Sequence, residues 1–174
     1  MRRGLVQVYT GNGKGKTTAA WGQAMRAVGQ GMKVAVVRFL KPNDSGEVKA
    51  AKRLGPLLSV FGECSPYNPS VNQKDSPQVR EDNWRNFGIA RELLLSGGYD
   101  MLALDEINMV LYYEHVSREE MIALLDQRPD HTEVVLTGRN APQWLIDAAD
   151  LVTEMREVKH PSSSGIEARR GIEY

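Results

Sequence analysis

Short runs of apolar residues alternate with segments of helical periodicity along the whole chain. The apolar runs predict strands at Leu5–Tyr9, Lys33–Leu40, Leu57–Phe61, Tyr99–Leu104, Glu133–Thr137 and Leu151–Met155. The periodic segments predict helices at Lys16–Val28, Glu47–Leu54, Gln78–Ser96, Ser117–Arg128 and Pro142–Ala149. Lys33–Leu40 is nearly continuous in apolar residues, which is typical of a strand buried on both faces. The alternation predicts an α/β fold with a mostly parallel sheet of about six strands and helices on both faces.

Two polar segments interrupt this alternation. The first, Gly62–Pro77, is rich in proline, serine and asparagine. A loop of that length inside a compact domain is usually a lid or another functional segment. The second, Lys159–Gly165, predicts a further loop. With no internal repeat and no domain boundary, the 174 residues are expected to form a single domain over residues 1–174.

Charge and composition exclude several classes of protein. The chain has 22 Lys and Arg against 22 Asp and Glu, and its formal net charge is zero. Proteins that coat DNA or RNA need a basic surface, so neutrality argues against nucleic acid as a partner. The single cysteine, Cys64, cannot form an internal disulfide. Because no apolar run approaches the roughly 20 residues of a membrane span and no signal peptide is visible, we expect a cytoplasmic protein without a membrane segment.

Glycine and lysine dominate the segment between the first predicted strand and the first predicted helix. This phosphate loop runs from Thr10 to Thr18 with the sequence TGNGKGKTT. Its end, Gly15-Lys16-Thr17, matches the Walker A pattern G-x-x-x-x-G-K-[ST]. Glycines let backbone N–H groups turn toward phosphate oxygens, and the helix N-terminus adds positive potential. Lys16 is expected to place a positive charge on phosphate, and the Thr17 hydroxyl is expected to bind Mg²⁺.

The phosphate loop departs from the Walker A pattern at its first position. Thr10 stands there in place of glycine, and a β-branched residue cannot take the backbone angles open to glycine. We expect Gly11 and Gly13 to form the turn instead. The alternative is a glycine-rich turn that binds nothing, but the strand before it and the helix after it favour phosphate binding. The residues expected to contact nucleotide are Gly11, Asn12, Gly13, Lys14, Gly15, Lys16, Thr17 and Thr18.

Charged side chains follow two other predicted strands. Asp105-Glu106 stands at the end of the fourth strand. In a nucleotide-binding fold, an acidic residue at this place helps to hold magnesium. Either carboxylate can serve here, directly or through a water. The alternative is a solvated acidic pair. Arg139 follows the fifth strand. Since the carboxyl ends of strands in open α/β sheets face the ligand crevice, Arg139 either reaches the phosphates or forms a structural ion pair.

Five stretches from the phosphate loop to the C-terminus form a recognisable set. They are Thr10–Ala20, Arg26–Gly29, Leu104–Ile107, Val135–Arg139, and Val158–Pro161 taken with Gly165–Ala168 and Gly171–Tyr174. In their order, and over nearly the whole chain, they resemble the P-loop corrinoid adenosyltransferases. A GNGKGKTT loop together with a GIEY-type ending is more specific than a Walker A match. The resemblance implies a RecA-like P-loop NTPase fold.

The resemblance also implies a reaction. Co(I) of a reduced corrinoid attacks the 5′ carbon of ATP, the triphosphate leaves, and the product belongs to adenosylcobalamin biosynthesis or salvage. ATP with Mg²⁺ is the co-substrate, and cobalamin or cobyrinic acid a,c-diamide is the acceptor. Lys16, Thr17 and Glu106 take the catalytic roles, and Thr17 with Asp105 or Glu106 places Mg²⁺. A homodimer and an electron-donating reductase are the implied partners.

The chain departs from the family after the third strand. A Gly-Phe-x-Trp-type segment, which displaces the lower cobalt ligand in the family, is missing here, and Phe61 or Tyr67 is the candidate for that role. Two other classes of function stay open. One is a P-loop ATPase or small-molecule kinase in which Glu106 polarises water. The other is a non-catalytic ATP-binding regulator or partner of a corrinoid carrier.

For Cys64 and the three histidines, a structural role is the alternative to a role in the site. Cys64 is expected to be a packing or incidental residue. His115 and His131 lie in polar surroundings and are expected to be solvated. His160 either closes the site or orders its own loop.

Overall fold

The computed structural model describes residues 3–41, 45–63 and 76–172. Its strands are β1 (Val6–Thr10), β2 (Val34–Arg38), β3 (Leu58–Phe61), β4 (Met101–Asp105), β5 (Glu133–Thr137) and β6 (Leu151–Glu154). Its helices are α1 (Lys16–Gly29), α2 (Gly46–Leu54), α3 (Pro77–Leu95), α4 (Ile107–Tyr112), α5 (Arg118–Asp126) and α6 (Gln143–Ala148), followed by a 3₁₀ turn at Pro161–Ser164.

The strands form one parallel sheet in the order β3-β2-β4-β5-β1-β6. Strand β5 lies between β1, which leads into the phosphate loop, and β4, which ends in Asp105. The register pairs Tyr9 with Thr137 and Arg38 with Asp105. All the strands therefore end at one edge of the sheet, where the phosphate loop also lies. The predicted α/β fold, with a mostly parallel sheet of about six strands, is confirmed.

Two apolar cores lie on opposite faces of the sheet. Strand β2 shows the division, because Ala35 and Val37 belong to one core while Val34 and Val36 belong to the other. Helices α3 to α6 contribute to the first core, and α1 and α2 contribute to the second. A strand covered on both faces needs apolar residues at every position. The prediction of helices on both faces is confirmed.

Helix α4 has no counterpart among the predicted elements. Its six residues make fewer than two turns, too few to show a helical period. Ile107, Val110 and Leu111 are buried, so the helix is stabilised by packing rather than by intrinsic propensity. It begins directly after the acidic pair and thereby fixes where Glu106 lies.

The other helix boundaries follow their sequence signals. Helix α5 begins with a capping box: the Ser117 hydroxyl accepts from the Glu120 N–H at 3.2 Å, and the Glu120 carboxylate accepts from the Ser117 N–H at 2.8 Å. Most of the predicted loop Gly62–Pro77, including Cys64 and Tyr67, lies outside the described residues. Among the helices within the described ranges, none has both the length and the apolarity to cross a bilayer.

Candidate nucleotide-binding site

The phosphate loop packs closely against the chain that follows β6. Gly11 and Gly15 have φ angles of +95° and +119°, which L side chains rarely adopt. At Gly13 the constraint is contact, because a Cβ there would lie 2.8 Å from the carbonyl oxygen of Met155. The Gly13 N–H donates to that same oxygen at 2.6 Å. Gly11 thus supplies the positive φ directly after Thr10, which remains the last residue of β1, and Gly13 allows the close approach of Met155.

Lys16 reaches back across the phosphate loop. Its ammonium donates to the carbonyl oxygens of Gly11 and Gly13, each at 2.7 Å, and only 8% of the residue is exposed. Burial lowers the pKa of Lys16; the Glu106 carboxylate opposes this effect, and the Arg139 and Lys41 cations reinforce it. A phosphate beside the ammonium would favour its charged form. The phosphate loop therefore contains a buried cation that an anionic ligand would stabilise.

Asp105 is the centre of the acidic side of the site. It is 1% exposed, and its Oδ1 accepts from the hydroxyls of Thr17 and Thr137, both at 2.8 Å. Thr17 lies in the first turn of α1, and Thr137 is the last residue of β5. Three elements therefore converge on one carboxylate. The structure brings the predicted partners Thr17 and Asp105 into direct contact.

The Glu106 carboxylate lies in the same cluster as Asp105, and the backbone of Glu106 is strained. Its φ of +71° lies in the left-handed region, which a residue with a long side chain seldom adopts. Its N–H donates to the Thr137 hydroxyl at 3.0 Å. A Cβ on Gly138 would come 3.2 Å from Glu106 Oε2, so glycine leaves room for this carboxylate. Strain of this kind persists where the surrounding structure holds it, and such places are often functional sites.

Lys41 completes the cluster, and it is absent from the predicted site. Its Nζ lies 2.7 Å from Thr17 Oγ1, 3.1 Å from Asp105 Oδ2 and 3.2 Å from Glu106 Oε1. Burial by itself lowers the pKa of Lys41, but Asp105 and Glu106 outweigh it and raise the pKa. The sequence signal that could have identified Lys41 was its position, because it follows β2 and so lies at the same edge of the sheet as the phosphate loop.

Comparison with known proteins agrees with this geometry. A family model described as ATP:corrinoid adenosyltransferase BtuR/CobO/CobP matches residues 2–174. The chain belongs to this family. It is 38% identical over 175 residues to the corrinoid adenosyltransferase of Escherichia coli K12, which covers 99% of this chain and 86% of the relative. Against corrinoid adenosyltransferase CobA of Salmonella typhimurium LT2 the identity is also 38%, over 99% of this chain and 86% of the relative. A corrinoid adenosyltransferase of Sinorhizobium sp is 40% identical over 177 residues, covering 99% of this chain and 81% of the relative.

Family membership confirms the resemblance found in the sequence, together with the enzyme class that it implies, corrinoid adenosyltransferase. The match spans the phosphate loop, the acidic pair and the C-terminal segment in one alignment. Of the stretches that carried the resemblance, Thr10–Ala20, Leu104–Ile107 and Val135–Arg139 contain residues of the site just described.

The remaining predicted residues of this adenosyltransferase family member surround the phosphate loop. Asn12, Lys14 and Thr18 are exposed, and Lys14 Nζ donates to the Ile172 carbonyl at 3.2 Å, so the C-terminal segment reaches the loop. Arg139 is also exposed and makes no ion pair with any residue in the described ranges. Its positive charge is close enough to the phosphate loop to lower the pKa of Lys16.

The prediction for His115 is wrong. The residue is 4% exposed, and its Nδ1 lies 2.9 Å from Asn83 Nδ2. Helix α3 supplies Asn83 and covers the turn between α4 and α5, a long-range contact that local polarity does not show. His131 is exposed, as predicted.

Proposed function

We propose that this protein transfers the 5′-deoxyadenosyl group of ATP to the Co(I) centre of a reduced corrinoid and releases triphosphate. The proposal rests on one feature of the sheet edge: the Lys16 ammonium is held inside the phosphate loop, and the next residue, Thr17, donates its hydroxyl to Asp105. The family whose model matches the chain supports the same reaction class. The acceptor is cobalamin or one of its precursors, in biosynthesis or salvage.

The phosphate loop binds the triphosphate in this proposal. The N–H of Gly13 is already engaged by Met155, so the neighbouring amides and the Lys16 ammonium hold the phosphate oxygens. Arg139 and Lys14 add positive charge from the exposed side. Donors that are already in place when negative charge builds up on the leaving group stabilise the transition state. The loop therefore acts on the leaving triphosphate as well as on bound ATP.

The acidic cluster fits Mg²⁺. Thr17, Asp105 and Glu106 offer hydroxyl and carboxylate oxygens, the ligands that Mg²⁺ prefers, around a point where the structure already holds the Lys41 ammonium. Across residues 3–41, 45–63 and 76–172, no group of three or more His, Cys, Asp or Glu side chains could hold a metal alone. Mg²⁺ commonly binds to one or two carboxylates and to substrate phosphates. We propose that these three residues hold Mg²⁺ with ATP, where it would neutralise phosphate charge.

The transfer step involves a nucleophile and a leaving group. The electron pair of Co(I) forms the cobalt–carbon bond at C5′, and the C5′–O5′ bond breaks with its pair leaving on the triphosphate. No proton is transferred, so no general base is required. The residues of this chain hold C5′ in line with cobalt and offset the charge of the leaving group. His115, which is buried against Asn83, has no part in this step.

The family resemblance supports three further proposals about the cellular setting. We propose a homodimer, an electron-donating reductase that supplies Co(I), and a cytoplasmic location. Neither nucleic acid nor a membrane is among the proposed partners.

Analysis of the nucleotide products under anaerobic conditions tests this function. With ATP, Mg²⁺ and chemically reduced cobalamin we expect triphosphate and a new cobalt–carbon absorbance from the wild type and neither from Lys16→Ala. The matched control is Lys33→Ala. Lys33 directly precedes the first residue of β2, at the end of the strand away from the site, so this variant should keep the wild-type rate. Release of ADP or phosphate without corrinoid would instead support the ATPase or kinase alternative. ATP binding without any product would support a regulator.

A further inference from the structure

Lys41 occupies the centre of the proposed metal site. Its ammonium contacts one oxygen from each of Thr17, Asp105 and Glu106, at 2.7, 3.1 and 3.2 Å. These are the residues proposed to hold Mg²⁺. Mg²⁺ lies roughly 2.1 Å from its ligands, so an ion bound to all three of these oxygens would occupy the position of the ammonium. The two cations compete for one position.

The charges of the cluster balance without a metal. Lys16 and Lys41 carry two positive charges, and Asp105 and Glu106 carry two negative charges. A divalent ion that entered while Lys41 stayed would leave the cluster with two excess positive charges in a site where Asp105 is 1% exposed. Charges at these separations interact strongly where water is largely excluded. Free Mg²⁺ is therefore disfavoured while the ammonium is present.

The ammonium has room to leave. Side-chain exposure of Lys41 is 27%, against 1% for Asp105, so its long side chain reaches the cluster from the solvent side. Four rotatable bonds allow it to move without a change in the backbone. An arriving triphosphate brings the negative charge that a displaced ammonium can pair with. Metal and nucleotide then enter together.

We propose that Lys41 is a resident cation that excludes free divalent metal from the Thr17–Asp105–Glu106 cluster and yields the position only when metal arrives with a triphosphate. The inference rests on the proposed Mg²⁺ site. It makes Lys41 a positioning residue: it keeps two carboxylates in place before ATP binds, and it couples metal affinity to nucleotide.

Binding of Mn²⁺ to the nucleotide-free protein tests this inference, with free Mn²⁺ measured by its EPR signal. Lys41→Met removes the charge at nearly constant length, and it should bind Mn²⁺ at least tenfold more tightly than the wild type. Lys41→Arg keeps a cation and should bind Mn²⁺ as weakly as the wild type. The control is Lys33→Met, at the lysine that directly precedes β2 at the end away from the site. It should also leave Mn²⁺ affinity unchanged. Equal affinity of the wild type and Lys41→Met would overturn the inference.

A melting experiment gives an independent readout and checks folding. Without metal, Lys41→Met should melt below the wild type because two carboxylates have lost their cation, and Mn²⁺ should restore its melting temperature. If Lys41→Met does not fold, Lys41→Gln replaces it in both measurements. A variant that Mn²⁺ does not stabilise more than it stabilises the wild type would contradict the inference. Adenosyl transfer by the wild type is measured separately, so failure of the proposed function and failure of the Lys41 inference give different results.

Discussion

Asp105→Asn separates the charge of the central carboxylate from its shape. The amide oxygen can still accept from Thr17 and Thr137, but an NH₂ group now faces Lys41 Nζ in place of the oxygen 3.1 Å away. Two donors then oppose each other where a carboxylate and an ammonium were paired. We expect a loss of stability together with a loss of cation binding.

The size of the stability loss follows from the contacts. A hydrogen bond to a charged acceptor contributes about 1.5–3 kcal/mol and a neutral one about 0.5–1.5 kcal/mol, so weakening the two threonine bonds costs roughly 2 kcal/mol. The Lys41 pair adds less than about 1 kcal/mol, because that side chain is 27% exposed and keeps Glu106. The total is roughly 2–3 kcal/mol. For a domain of 174 residues this corresponds to a fall in Tm of about 4–12 °C.

Thermal and urea unfolding at pH 7, without nucleotide, measure this loss. The control is Asp100→Asn at the opposite end of β4, where the carboxylate accepts a solvent-exposed hydrogen bond from the Lys33 N–H at 2.8 Å. We expect that variant to lose less than about 1 kcal/mol. Equal melting temperatures of Asp105→Asn and the wild type, or an equal loss of stability in Asp100→Asn, would contradict this expectation.

Three further outcomes follow. Lys16→Ala should lower the rate of ATP-dependent transfer by at least about 100-fold, since one preorganised donor to the leaving group is lost, while its circular dichroism stays native; normal turnover would refute the role. Gly13→Ala places a Cβ 2.8 Å from the backbone after β6 and should cost roughly 1–3 kcal/mol in urea unfolding, whereas Gly22→Ala, with no neighbour within 4 Å, should cost nothing. Burial, reinforced by Glu133, raises the pKa of Tyr9, so the unfolded chain loses its phenolic proton first, near pH 10, and folding stability falls from there upward. Tyr9→Phe should lack that fall, and an unchanged alkaline profile would contradict the assignment.

Local patterns predicted the part of the site that one segment builds. The phosphate loop is a continuous stretch, so its glycines, Lys16 and Thr17 could be identified from spacing alone. Asp105 was identifiable because a buried strand ends at it. Gly11 and Gly13 were expected to replace the missing first glycine, and the contacts with the chain after β6 give the physical reason.

The parts that were missed depend on long-range packing. Lys41 joins the site because the strand order places β2 beside β4, so that both strands end at the same point. Nothing in the local sequence of Lys41 differs from that of a solvated lysine after a strand. Helix α4 is too short to show a period, and His115 is buried by a helix far away in sequence. Prediction therefore failed where the neighbours of a residue are set by topology.

The fate of the bridging oxygen at C5′ tests the central claim most directly. ATP labelled with ¹⁸O at the 5′ oxygen is incubated anaerobically with the protein, Mg²⁺ and reduced cobalamin, and the products are analysed by mass spectrometry. Attack of cobalt on C5′ breaks the C5′–O5′ bond, so all of the label should leave on the triphosphate, one equivalent for each cobalt–carbon bond formed. Label retained in ADP, with unlabelled phosphate as the other product, would show cleavage at phosphorus and contradict the account.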